Sequence, residues 1–189
     1  MALLIVGLVI FLGTHSISIV ANEWRDQMAA KLGNGWRAVY SILSLIGFVL
    51  IIKGYAAARL EPIVLYVPPL WLHHVTAALM IFVFPLLLAT YLPGRINTLF
   101  KHPMLNAVKF WAFAHLLSNG TLNDVVLFGS FLLWAVADRI SIKRRPARPL
   151  NTLPATKYND LMALVGGIAL YLLTIHWLHY KLIGVVPVL

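Results

Sequence analysis

The chain has 189 residues, 61% of them hydrophobic and 11% charged, and its mean hydropathy is +0.86, a composition that belongs to an integral membrane protein and not to a soluble domain. The formal net charge is +9, but the basic residues sit at the ends of apolar runs and form no basic face interleaved with aromatics, which argues against nucleic acid as a partner. Cysteine is absent, which excludes disulfides, iron–sulfur ligation, thiolate nucleophiles and haem attachment through a CxxCH motif. Any metal must then be held by His, carboxylate or Met, and seven histidines against six acids favour imidazole.

The opening run, MALLIVGLVIFLG, has no Lys or Arg ahead of it and no small-residue cleavage pattern behind it, so it reads as a retained first span. Apolar runs of about 17 to 25 residues predict an all-α, polytopic membrane helical bundle with one domain over residues 1–189. Six spans are expected, near 2–22, 38–56, 70–92, 103–119, 121–142 and 160–187. Breakers fall between them: GNG at 33–35, PP at 68–69, PG at 93–94 and RRPARPLNTLPA at 144–155. NGTLND, residues 119–124, predicts a very tight reversal between the fourth and fifth spans.

Orientation follows from the basic residues. With six spans, one side receives Arg25, Lys31, Arg37, Arg95, Lys101, Arg139, Lys143, Arg144, Arg145, Arg148 and Lys157, the other only Lys53, Arg59 and Lys181, and Lys109 lies within a span. The eleven-to-three split puts the first side in the cytoplasm and both termini on the opposite side. Trp24 and Trp36 then fall near the cytoplasmic interface, and Trp71 and Trp177 near the other, as an aromatic belt requires.

Two histidines fall deepest within the apolar runs by residue count. Counted from Arg25, His15 is ten residues inside the first span, about 15 Å at 1.5 Å per residue. If Pro103 opens the fourth helix, His115 is twelve residues in, about 18 Å. The two imidazoles are therefore expected at one level near the bilayer midplane, whereas His102 stays at the interface and cannot share a metal with His115. Ser18, Asn22 and Asp26 are expected on the stripe of His15; Trp111 and Ala112 precede His115 on its face, and Ser118 and Asn119 follow it. A polar ring at that depth needs a hydrogen-bond partner or a metal. Two imidazoles from different helices suit axial ligation of a b-type haem, with Phe11, Phe110, Trp111 and Phe113 as flat apolar surroundings. The plainer alternative is a pair of separate buried histidines, each bonded to a Ser or a backbone carbonyl.

The remaining polar residues have simpler expectations. His102 and Pro103 read as a helix start, since Pro suits the first helical position. Lys109 snorkels toward the cytoplasm, a haem propionate being its alternative partner. His73 and His74, beside Trp71, read as interfacial anchors, and with His176 and His179 they could form a second polar cluster at the outer side.

GTHSISIVANEWR, WRAVYSILSLIG, and above all KHPMLNAVKFWAFAHLLSNG followed by LFGSFLLWAVADR resemble the NnrU family of bacterial membrane proteins over nearly the whole chain. That resemblance extends to the plastid 15-cis-zeta-carotene isomerases, whose early His element and later HP…AH element correspond here to His15 and to His102, Pro103 and His115. The resemblance implies a haem b protein of the bacterial inner membrane, ligated by His15 and His115, linked to nitrite and nitric oxide metabolism in denitrifiers. It also implies an alternative: a haem-dependent isomerase or oxidoreductase acting on a polyene or other lipid-soluble substrate. The plant isomerases carry Cys three residues before the second ligand, where this chain has Ala112, so a thiolate ligand switch is not expected. A third reading takes the HP element as similar to that of isoprenylcysteine carboxyl methyltransferase-type membrane enzymes, but their later acidic pair is not apparent here.

Overall fold

The computed structural model describes residues 1–148, 150 and 152–187. Pro149 and Asn151 of the predicted 144–155 breaker lie outside the described residues. The described chain is all-α, as expected: α1 (Ala2–Val20), α2 (Asn22–Leu32), α3 (Asn34–Ala58), α4 (Trp71–Met80), α5 (Val83–Ala89), α6 (Arg95–Phe100), α7 (Pro103–Ser118), α8 (Leu122–Ile142), α9 (Asn159–Leu173) and α10 (His179–Ile183). A π-helical turn, Thr174–Leu178, joins the last two. Five helical stretches among the described residues are long and apolar enough to cross a membrane: Ala2–Val20, Asn34–Ala58, Trp71–Ala89, Leu122–Ile142 and Asn159–Ile183. The sixth expected span is α7, whose 16 residues rise about 24 Å, short of a hydrocarbon core of about 30 Å.

Two compact units form. The first comprises Met1–Tyr66 with Thr121–Ala147; the second comprises Val67–Gly120 with the described residues from Arg148 onward. In the first unit α1 and α3 pack antiparallel along a seam of glycines. A Cβ at Gly7 would stand 2.6 Å from the backbone nitrogen of Ile51, one at Gly47 would stand 2.7 Å from that of Phe11, and one at Gly54 would overlap the backbone of Leu4. Between lipid-facing helices there is no hydrophobic drive to associate, so close backbone approach over small residues supplies the contact. On its other flank α1 meets α8, with Phe11 facing Phe131 at 5.7 Å and His15 facing Trp134 at 5.9 Å between ring centroids. The two helices therefore run in the same direction.

The connection at NGTLND is as short as expected: α7 ends at Ser118 and α8 begins at Leu122. Thr121 and Asp124 close a capping box, and the Tyr55 hydroxyl donates to Asp124 at 2.6 Å. These bonds satisfy a carboxylate that is only 5% exposed and would otherwise be costly there. Tyr66, on the segment that follows α3, has its phenol pushed above the ordinary range by burial and by the Asp124 charge.

In the second unit the predicted span 70–92 is interrupted. Pro85 has no N–H to donate, and its ring crowds the carbonyl of Ile81, so α4 ends at Met80 and α5 starts at Val83. Pro85 itself packs against Gly167, where an added Cβ would overlap the proline backbone. Val83 and Leu86 bury against Ala107, and Ala89 and Leu92 against Ala163. Thr76 donates to the Ala114 carbonyl at 2.8 Å, and Tyr171 to the Ala77 carbonyl at 3.0 Å. These pairings run α4 and α5 antiparallel to both α7 and α9. Below them Asn159, 2% exposed, donates to the Pro93 carbonyl at 2.9 Å, while Asp160 accepts from the Arg95 and Ile96 amides, each at 2.9 Å.

The helix directions bear on the six crossings expected from the sequence. Were α7 not to cross, α8 would run against α1, and α9 would run along α4 and α5. The first unit has α8 parallel to α1, and the second has α9 antiparallel to α4 and α5, so each unit by itself has the directions that six crossings require.

Candidate functional site

His15 sits on α1, one turn after Phe11. Its Nδ1 donates to the Phe11 carbonyl at 2.7 Å, which leaves the lone pair of the neutral ring on Nε2. Three aromatic rings surround it: Phe11 at 4.3 Å, Tyr40 at 5.2 Å and Trp134 at 5.9 Å. Beside it runs a groove of about 340 Å³ lined by Phe11, Tyr40, Ser41, Ser44, Leu45 and Phe48. Two polar atoms here are buried without a protein partner, the Ser44 hydroxyl and the Trp134 indole nitrogen.

His115 repeats the local arrangement on α7. Its Nδ1 donates to the Trp111 carbonyl one turn earlier, at 2.8 Å, and the Trp111 ring lies 5.6 Å from the imidazole. Asn119 caps the turn, its amide donating to the His115 carbonyl at 3.0 Å and to the Ser118 hydroxyl at 3.4 Å. Fixing the tautomer through a backbone carbonyl is the usual outer-shell arrangement of an imidazole that ligates a metal through its other nitrogen.

Other expected residues fall where their chemistry sends them. Pro103 is the first residue of α7, with His102 just before it, so that pair does start a helix. Phe110 packs on Phe82 at 5.6 Å, and Phe113 is 48% exposed. The stripe of His15 does not continue as expected: α1 ends at Val20, Ala21 turns the chain (φ −137°, ψ 50°), and Asn22 and Asp26 belong to α2. Asp26 instead pairs with Arg25 at 2.8 Å. His15 thus lies five residues from the end of α1, about 7.5 Å, and not the 15 Å counted from Arg25. Among the described residues no three His, Cys, Asp or Glu side chains come together in a group that could hold a metal ion. His179 donates to the Val185 carbonyl at 2.8 Å.

The sequence reading passed over the α8 side of the His15 site. Trp134, Asp138 and Arg145 follow at near-helical spacing from Phe131, and Asp138 pairs with Arg145 at 2.8 Å while Arg145 also donates to the Ser18 carbonyl at 2.7 Å. The signal was available in LLWAVADR, where an acid sits inside an apolar helix, a position that by default calls for a partner or a function.

These features define a polytopic all-α membrane protein with two aromatic-x-x-x-His turns, one in each unit, both holding the imidazole in the same tautomer. The model of the NnrU protein family matches residues 3–187, and the chain belongs to that family. No curated protein and no solved structure matches it.

Proposed function

We propose that this NnrU-family chain is a haem b protein of the bacterial inner membrane, with both termini periplasmic, serving nitrogen-oxide metabolism, and that His15 and His115 would hold its iron. The observation that supports this reading most is the shared imidazole geometry, which stands although the end of α1 at Val20 removes the count that put His15 near the midplane: in each unit a helical His donates its Nδ1 proton to the carbonyl of an aromatic residue one turn earlier. In a neutral ring such a bond puts the remaining lone pair on Nε2. The residues fit a porphyrin: Phe11, Tyr40, Leu45 and Phe48 offer an apolar wall beside His15, Trp111 flanks His115, and Ser118 and Asn119 brace the turn that carries it. A bound haem would supply a one-electron couple. Holding the group, excluding water and setting imidazole basicity are the work of this chain's own residues.

The test is the absorption spectrum of the purified protein with pyridine haemochrome analysis. A b-type spectrum supports the reading, and a colourless protein after expression with haem supply overturns it. Two haems per chain would assign the histidines to separate sites.

A second reading is favoured by the groove itself. Its length of apolar and aromatic wall, with one buried hydroxyl at Ser44, suits a polyene or another lipid-soluble substrate of a haem-dependent isomerase. Chromatography of a cis-polyene incubated with the haem-loaded protein would show a changed isomer ratio under this reading and none under the first.

A further inference from the structure

A second cavity lies in the first unit, at the end of α1 and α8. It holds about 280 Å³ and is lined by Ile19, Asn22, Ala137, Ile140, Ser141, Arg144 and Arg145. Its walls are of two kinds. Ile19, Ala137 and Ile140 continue the apolar surfaces of two membrane-crossing helices, whereas Asn22, Ser141 and the two arginines lie where those helices stop.

The two arginines are in different states. Arg145 is held, its guanidinium 2.8 Å from Asp138 and 2.7 Å from the Ser18 carbonyl, with its side chain 14% exposed. Asp138 neutralises that one charge. Arg144 is exposed and has no acidic partner among the described residues. The cavity therefore carries a net positive charge beside an apolar wall, and the flanking Arg139 and Lys143 add to the field. A guanidinium prefers planar, bidentate contact with phosphate oxygens, and basic pockets between transmembrane helices on the cytoplasmic side accept anionic headgroups.

We propose that this cavity binds an anionic phospholipid, its headgroup phosphate on Arg144 with Arg145 as a fixed second donor, and its acyl chain along Ala137 and Ile140. An apolar wall of this kind favours a lipid over a free phosphate, which would leave Ile19, Ala137 and Ile140 uncovered. The pocket is independent of any haem and needs only the membrane setting.

Native mass spectrometry of the detergent-purified full chain with added phosphatidylglycerol or phosphatidylcholine tests this. The wild type should retain phosphatidylglycerol in preference to phosphatidylcholine. Arg144→Gln should lower that retention about fivefold, the worth of one basic contact near a membrane surface, and Arg144→Glu should lower it further. Arg37→Gln, which removes an exposed basic residue of α3 outside the cavity, should leave it unchanged, and Ser141→Ala reports on the pocket without altering charge. Equal loss in the Arg144 and Arg37 variants, or no preference in the wild type, overturns the proposal. Displacement of the lipid by glycerol phosphate at matching concentration would make the cavity a simple phosphate site and overturn the lipid assignment.

Discussion

The Nδ1 of His15 stands 2.7 Å from the carbonyl oxygen of Phe11, one helical turn earlier. A carbonyl can only accept, so this bond fixes which nitrogen of a neutral ring carries the proton, and the Phe11 ring at 4.3 Å holds the plane. Replacing Phe11 by Leu keeps the carbonyl and removes the ring. The expected result is a folded protein whose His15 environment is loosened, read as a broadened His15 ring signal by NMR of selectively labelled protein. An unchanged signal would show that the ring does no orienting.

The glycine seam sets a second prediction. Gly54→Ala gains helix propensity of up to about 1 kcal/mol but drives a methyl into the Leu4 backbone, and overpacking of that kind costs about 1–3 kcal/mol. The clash wins, so Gly54→Ala should lower the thermal midpoint in detergent. Gly129→Ala, where an added Cβ meets nothing within 4 Å, should hold or raise it.

Asp138 and Arg145 form the third. Their side chains are 11% and 14% exposed, so removing one partner strands a mostly desolvated charge, at a cost of about 3–5 kcal/mol. Asp138→Ala and Arg145→Ala should each destabilise strongly, and the double variant should be less unstable than the sum of the singles. A coupling below about 0.5 kcal/mol in the thermal double-mutant cycle would reduce the pair to an independent surface contact.

Topology gives the fourth. A reporter inserted between Arg144 and Thr156 should report the cytoplasm, and one appended after the last residue the periplasm, following the eleven-to-three split of basic residues. A cytoplasmic C-terminus would contradict this arrangement.

The helices and their directions were readable because apolar length, Pro–Gly punctuation and basic flanks are local signals. Pro103 at a helix start and the short connection at NGTLND carried their own chemistry. The break at Ile81 was latent in Pro85, but a 23-residue apolar window hides a kink that needs no polar residue. The end of α1 at Val20 was missed because Asn22 and Asp26 keep a helical spacing from His15, which describes a stripe equally well whether or not Ala21 turns the chain. The α8 wall of the site was hidden for another reason: Trp134 and Arg145 gain meaning only when α8 lies along α1, a pairing between residues more than a hundred positions apart.

Absorption spectra of the histidine variants test the proposed ligation of a haem iron by His15 and His115. Reconstituted wild type should give a low-spin b-type spectrum, and His15→Ala and His115→Ala should each lose most of the haem or turn high-spin, while His179→Ala stays as wild type. Wild-type haem content and spectrum in both His15→Ala and His115→Ala would contradict the claim outright.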